Sequence, residues 1–314
     1  MPLLPQNTSL ESDASTRIAL SVIILNWNAA HYLRAALSSI VSQNWKHDIE
    51  VIVVDNASRL DDSVEIVRRE YSQVRLLALP QNIGFAAGNN AALPVAHGDY
   101  LLFLNPDTET HAGALDALID WMDAHPQAGA CGPKLLNDDG SLQKSCRAFP
   151  SFGAGLFRSS FLGRMFPNNP WTRSYMMLDF SHERAAEVDW LSGAALLVRR
   201  AAIEKIGAWD ESFFMYCEDV DLCYRLNEAG WQRWYVPDAV ISHRIGGSSD
   251  WLRGVTIRRH HASMLRYYIK HHGRGVRALL VPIAAAGIGV RALSALAKLY
   301  GFYLRRGVPV PKKK

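Results

Sequence analysis

Apolar residues alternate between two rhythms over the first 125 positions. Residues 18–25 (IALSVIIL) are a short apolar run with polar flanks, the pattern of a buried strand. Helical spacing follows from Ala29 to Ser42, and then a second buried strand, EVIVVDNAS (50–58). The alternation continues with an amphipathic helix over 60–72, a strand over 74–79 (VRLLAL) and a helix over 84–97. A strand over 99–105 (DYLLFLN) and a helix over 111–125, ending before Pro126, complete it. Strand alternating with helix predicts an α/β fold with a doubly wound, mostly parallel sheet. Such a sheet binds ligands at the carboxyl ends of its strands. Residues 137–187 are rich in Gly, Pro, Phe and Arg without a clean period, which predicts loops and short helices over that edge. Order returns with a strand feeding a helix over 188–200 (VDWLSGAALLVRR) and a short helix over Asp219–Gly230. A pair of short strands is expected over 231–243 (WQRWYVPDAVISH).

Composition adds a division of charge. At 49% hydrophobic and 20% charged, a chain of 314 residues buries a sizeable core and is not disordered. Its net charge of +4 hides two opposed parts. Residues 1–250 carry all 30 acids and 20 of the 34 Lys and Arg, a balance of −10, whereas residues 251–314 carry the remaining 14 and no acid. An acidic body with a basic appendage points to an anionic partner, nucleic acid or lipid. The four cysteines (Cys131, Cys146, Cys217, Cys223) form no CxxC pair and no zinc spacing, as in a reduced cytosolic protein. Residues 1–17 have no basic start and no apolar core, and read as a polar leader rather than a signal peptide.

The strand ends carry the candidate chemistry. Asn26 and Asn28 end the first strand, Asp55 and Asn56 the second, and Asn105 and Asp107 the fourth. Each alone is also an ordinary turn former; three together make a crevice suited to a nucleotide. The strand-end sequence NWNAAHY contains no glycine, and the one GxGxxG match, Gly287-Ile-Gly289-Val-Arg291-Ala292, has no following βαβ unit and no acid downstream. There is no P-loop either, nor the Gly-rich basic loop of a nucleotidyltransferase. Asp107, in Asn105-Pro106-Asp107, is placed either to close a turn or to hold Mg²⁺ or Mn²⁺ through oxygen. Phe213 to Arg225 leads aromatic residues into Glu218, Asp219 and Asp221 at a helix start. Acids there complement the helix dipole, or one of them serves as a general base. His243 ends the last apolar run, where a histidine is structural or completes a metal shell.

These segments occur in a telling order: IILNWN, VVDNAS, NIGFAAGNN, LLFLNPD, WLSGAALLVRR, GAWDESFFMYCEDVDLCYR and the closing His243. Over roughly residues 19–249 the chain closely resembles glycosyltransferase family 2 with the GT-A fold, and within it the rhamnosyltransferase-like branch. That resemblance implies a nucleotide-sugar donor, a divalent cation (Mg²⁺ or Mn²⁺) and inversion by single displacement. It implies that Asp55 contacts the nucleotide base and Asn28 lines its pocket. Asn82, Gly84, Phe85 and Asn90 would pack around the ribose and diphosphate, and Trp190, Ser192 and Gly193 would border the sugar. Asp107 and His243 would contact the metal. Asp219 would be the catalytic base, with Glu218 beside it. Asn105 stands where a full DxD motif has its first acid, so it offers a carbonyl but no charge.

The basic section adds a partner. Residues 278–290 form an uncharged run of 13, shorter than the roughly 20 that a membrane span needs. Arg277, Arg291, Lys298 and Arg305 follow at spacings of 14, 7 and 7, one slowly drifting helical stripe. An apolar helix with one basic stripe suits the plane of an anionic membrane surface; the alternative is a helical pair packed on the domain. No nucleic-acid-reading motif occurs, so none is expected as partner. The combined expectation is a GT-A domain over 18–249 and a basic helical extension over 250–314. Such an enzyme would work at the cytoplasmic face of the membrane, moving L-rhamnose from dTDP-rhamnose to a lipid-linked or polysaccharide acceptor. A UDP-sugar donor and a catalytically silent sugar-nucleotide- or glycan-binding module are the competing expectations.

Overall fold

Val, Ile and Leu line both faces of the first strand, β1 (Leu20–Asn26), and six of its seven residues are buried. A strand buried on both faces belongs inside a sheet covered by helices on either side. The computed structural model describes residues 17–157, 161–244 and 253–306, so residues 1–16 of the polar leader and the segment 245–252 lie outside the described residues. After β1 come α1 (Ala30–Val41), β2 (Ile49–Asp55), α2 (Ser63–Glu70), β3 (Arg75–Ala78), α3 (Phe85–Asn90) and β4 (Tyr100–Leu104). Then follow β5 (Thr108–Thr110), α4 (Ala114–Ala124), β6 (Ala128–Leu136), β7 (Leu142–Gln143) and β8 (Cys146–Arg147). Three short helices, α5 (Phe152–Phe157), α6 (Phe161–Met165) and α7 (Pro170–Met176), precede β9 (Ala186–Glu187), β10 (Trp190–Leu191) and β11 (Ala195–Arg199). The chain ends with α8 (Arg200–Ile206), α9 (Glu218–Glu228), β12 (Gln232–His243), α10 (Arg253–His272) and α11 (Val281–Arg306).

The main sheet has the order β3-β2-β1-β4-β11-β6-β12-β5, with β7 and β9 as additions on β6 and β12. β3, β2, β1 and β4 are mutually parallel, as the strand–helix alternation predicts. β11 then enters antiparallel to both β4 and β6, and β12 runs parallel to β6. Side chains alternate between two cores. Val22 and Ile24 pack with Leu33 and Leu37 of α1 and Leu118 of α4, while Ile23 faces the layer holding Ala86 of α3 and Leu222 of α9.

Three local expectations are corrected. The helix expected over 84–97 stops at Asn90, and a single 3-10 turn at Leu93–Val95 follows, with Pro94 in it. The pair of strands expected over 231–243 is one strand, β12, whose pairing with β6 shifts register between Val236 and Val240, around Pro237. The segment 188–200 holds two strands, β10 and β11, before α8. β6 was invisible to periodicity because Gly129, Gly132 and Pro133 interrupt it. Gly129 is required by packing: a Cβ there would lie 2.6 Å from the Trp231 Cβ.

Gly98, just before β4, is pressed against β1. It donates to the Ser21 hydroxyl at 2.8 Å, and a Cβ would sit 2.3 Å from the Ser21 backbone nitrogen. Gly98→Ala is therefore expected to destabilise the fold by about 1–3 kcal/mol through overpacking. Denaturant unfolding followed by circular dichroism checks this, and an unchanged midpoint would contradict the contact.

Candidate active site

The parallel register sets the first wall of the site, because Asn26 and Asp55 end β1 and β2 side by side. Asn26 Nδ2 donates to Asp55 Oδ1 at 2.9 Å and to Ser58 Oγ at 3.2 Å, and Asp55 Oδ2 accepts the Ser58 N–H at 2.9 Å. Asn28 adopts a left-handed φ of +51°, and its Oδ1 accepts the N–H groups of Arg59 and Leu60. It shapes the loop that borders a cleft of about 350 Å³, shared with Tyr32, Arg34 and Asp61.

A second wall is stitched from amides. Asn56 donates to Asn82 Oδ1 and to the Gly84 carbonyl, and it accepts the Ile83 N–H; Asn82 in turn accepts the Gly84 N–H. Gly84 has φ +94°, and a Cβ there would lie 2.7 Å from the Phe214 carbonyl, which the Phe85 N–H also reaches at 2.7 Å. Asn82, Gly84 and Phe85 thus join the β2 edge to the aromatic lead-in of α9. Asn90 is engaged elsewhere: it bonds the Trp209 backbone in both directions and donates to Glu211, bracing that loop.

The third corner is the one suited to a cation. Asp107 is buried, and its Oδ1 has no hydrogen-bond partner. His243 Nε2 lies 3.4 Å from that oxygen and 3.4 Å from Asn105 Nδ2. Gln143 determines what this nitrogen presents. Its Nε2 donates to Asn137 Oδ1 and to the His243 carbonyl, leaving Oε1 to accept His243 Nδ1–H at 2.7 Å. The His243 Nε2 lone pair then faces the orphaned Asp107 oxygen, an arrangement that fits an ion between them. Among the described residues, no three His, Cys, Asp or Glu side chains cluster as metal ligands. The protein therefore offers two such ligands and the Asn105 amide, leaving oxygen positions for a diphosphate.

The fourth corner is the start of α9. Glu218 is buried with an unpartnered Oε2. Asp219 Oδ2 accepts the Gly193 N–H at 3.1 Å and Oδ1 accepts the Val220 N–H at 2.8 Å. Burial raises both carboxyls, and the neighbouring Asp219 charge pushes Glu218 higher still. Asp219, held by two backbone N–H groups, is therefore the more readily ionised of the two. The two residues before α9, Tyr216 and Cys217, both have left-handed backbones (φ +74° and +65°). Such strain costs of order 1–3 kcal/mol each and persists only where the surroundings enforce it.

Residues 192–194 join the last two corners. The Gly193 N–H holds Asp219, and the next carbonyl, Ala194, accepts the Asn105 N–H at 2.9 Å. Ser192 is fixed by its N–H to the Ser145 carbonyl, and Trp190 by its indole N–H to the Ala148 carbonyl. Arg147 lies over the Trp190 ring at 5.8 Å and favours ionised Asp219. Sequence reading missed Gln143 and Arg147, which sit in the segment without a period.

A mixed sheet of this order with a polar crevice along its carboxyl edge defines the class, a GT-A-type transferase. The chain belongs to glycosyl transferase family 2, whose model matches residues 21–206. It is 34% identical, over 83% of its own length and 87% of the relative's, to the N-acetylglucosaminyl-diphospho-decaprenol L-rhamnosyltransferase of Mycobacterium tuberculosis. Identity is 27%, over 78% and 91%, to rhamnosyltransferase WbbL of Escherichia coli K12. Among solved structures, the fold matches a mannosyltransferase from Pyrobaculum calidifontis in complex with GDP-Man and Mn²⁺. The TM-score is 0.55 at 19% identity, covering 92% of this chain and 81% of that one. It also matches GalNAc-T7 with UDP, GalNAc and Mn²⁺, with a TM-score of 0.59 at 14% identity, covering 81% of this chain and 48% of that one.

A reaction that needs ionised Asp219 switches on as pH rises through its pKa, here above the ordinary 3.8. Arg147→Met removes a cation that favours the ionised form, so the acidic limb of the pH–rate profile should move to higher pH. An unmoved limb would show that Arg147 does not act on Asp219.

Proposed function

We propose that this glycosyltransferase moves L-rhamnose from dTDP-rhamnose to a lipid-linked glycan acceptor, with inversion at the anomeric carbon. The observation that carries the reading is the pairing of two corners through Gly193 and Ala194: an orphaned Asp107 oxygen facing His243, and a raised Asp219 carboxylate. Asp107 and His243 would hold a divalent cation, Mg²⁺ or Mn²⁺, with the Asn105 carbonyl available as a neutral ligand. When bound, that ion neutralises charge on the departing diphosphate. Asp55, Asn28 and the Asn82–Phe85 loop form the nucleotide side, and Trp190, Ser192 and Gly193 the sugar side. Asp219 takes the proton of the acceptor hydroxyl as that oxygen bonds to the anomeric carbon and the sugar–phosphate bond breaks. The choice of rhamnose rests on the two rhamnosyltransferases above.

Asp219→Asn should abolish transfer while leaving dTDP-rhamnose binding within about threefold, since it removes a group needed only in the transition state. Near wild-type turnover by the mutant would remove Asp219 from this role. A donor screen reading released nucleoside diphosphate, with Mn²⁺ or Mg²⁺ and with EDTA, separates dTDP-rhamnose from UDP-hexoses. Loss of turnover in EDTA and its return with Mn²⁺ are the expected results.

The C-terminal helices suit a membrane. Pro282 lies in the first turn of α11, where proline is tolerated, so one continuous helix forms despite it and the three glycines. With the preceding 3-10 turn it spans Gly275–Arg306, 32 residues, long and apolar enough to cross a membrane by length and composition. The uncharged run of 13 had implied a segment too short to cross. Among the described residues, eight of the fifteen exposed large apolar side chains lie between Val276 and Leu304, so this surface needs an apolar partner. A crossing would bring Arg291 to the bilayer interior, at about 2.5–3.5 kcal/mol for a central Arg. Lying in the cytoplasmic interface keeps Arg291 and Lys298 with anionic headgroups. The protein should pellet with phosphatidylglycerol vesicles and be released by alkaline carbonate; retention after carbonate would mean that α11 crosses.

A further inference from the structure

The face of α9 opposite Asp219 is gripped by α10, a helix that belongs to the basic extension. Asp221, two residues beyond Asp219 and about 200° around the helix, is wholly buried. One of its oxygens is shared by Lys270 Nζ at 2.6 Å and His271 Nε2 at 2.7 Å, both from α10. The other takes Arg225 Nε at 2.8 Å. Lys270 also reaches Asp210 at 2.6 Å, so one ammonium bridges the two ends of the segment that leads into α9. Between those ends α10 adds three more contacts. The Ser263 hydroxyl donates to the Met215 carbonyl at 2.9 Å, Arg259 lies 3.9 Å from the centre of the Phe214 ring, and Tyr267 packs on Phe213 and Val220. The left-handed Tyr216–Cys217 pair lies inside this embrace.

We infer that Lys270 and His271 are positioning residues for the transferase reaction: through Asp221 they fix the first turn of α9 so that Asp219 meets the acceptor hydroxyl. This rests on the reading of Asp219 as the base. The turn before α9 is strained, and backbone of that kind stays in place only when contacts from outside hold it. Here several of those contacts come from α10, on the far side of the helix from Gly193, which holds Asp219 from the front at 3.1 Å, while the Phe85 N–H holds the Phe214 carbonyl from the donor side. Loss of the α10 grip frees the turn while the donor wall keeps its own bonds, Asn26 to Asp55 and Asn56 to Asn82, and the Phe85 N–H keeps its hold on the Phe214 carbonyl. The expected signature is a loss of turnover with donor affinity intact.

The test uses full-length protein and hydrolysis of dTDP-rhamnose with Mn²⁺, water taking the acceptor's place. Lys270→Met with His271→Gln should lower kcat about 100-fold, the scale of a reacting group misplaced by about 1 Å. KM for dTDP-rhamnose and the calorimetric Kd for dTDP should stay within about twofold. Lys270→Arg, which keeps a cation, should restore most of kcat. Ser263→Ala loses only the bond to Met215, and should give a smaller fall in kcat with KM unchanged; it keeps the test open where the double variant does not fold. Wild-type kcat in the double variant would overturn the inference. So would a Lys270→Arg enzyme no better than Lys270→Met, or a parallel fall of kcat and dTDP affinity in Ser263→Ala. Absence of hydrolysis by the wild type, by contrast, would sink the donor assignment and not the role of α10.

Discussion

The site depends on one hydrogen bond between two halves of the sheet, the Asn105 N–H to the Ala194 carbonyl at 2.9 Å. Four parallel strands supply a carboxyl edge with amides and Asp107. The antiparallel entry of β11 beside β4 turns the chain at Ser192–Ala194 on the same edge, and Gly193 then presents its N–H to Asp219. Gly193 has no side chain to separate the corners: a Cβ there would already lie 3.4 Å from the Asp219 Cβ and 3.7 Å from the Phe85 ring. The backbone of residues 192–194 thereby ties Asp219 to Asn105, while side-chain bonds hold Asp55 and His243 in place.

Three acids in one turn of α9 meet three different environments. Glu218 is buried without a cation, Asp219 is bound by two backbone N–H groups, and Asp221 is matched by Arg225, Lys270 and His271. Burial raises the Glu218 and Asp219 carboxyls, whereas hydrogen bonds from His271 and Lys270 and the charge of Arg225 lower Asp221. A helix start favours negative charge in general, but the dipole acts on all three alike and cannot separate them. Tertiary neighbours do, so three acids within one turn differ in how readily they ionise.

The parallel half of the fold was legible because its strands are unbroken runs of Val, Ile and Leu, and its strand-end Asn and Asp marked the crevice. β6 was not, since Gly129 and Gly132 are fixed by contacts with Trp231 and Leu191 that no local pattern encodes. Asp107, the three acids of α9 and His243 stood out by residue type and place, whereas Asp219 was singled out among those acids by the family resemblance; the structure buries Asp107 and gives Asp219 two backbone N–H partners. Asn90 shows the limit of motif reading: its amide is occupied by Trp209 and Glu211. Gln143, 100 residues from His243, and Lys270, 60 from Asp210, act only through the fold, and their local sequence carries no sign of it. The charge division between body and tail was plain in the sequence. Its basic helix α10 packs against α9 as well.

That packing sets an order of events during synthesis. Asp221 is buried at a position 50 residues ahead of His271, its partner on α10. Domains begin to fold from the N-terminus as they emerge from the ribosome, and the parallel strands β1 to β4 all lie within residues 20–104. The turn at Tyr216–Cys217 and the buried carboxylate behind it come later in the chain. The parallel strands are therefore complete in the growing chain before the α10 partners of Asp221 exist. Lys270 and His271 meet Asp221 only after α10 has been made, and the helix that follows them is the one long and apolar enough for a membrane.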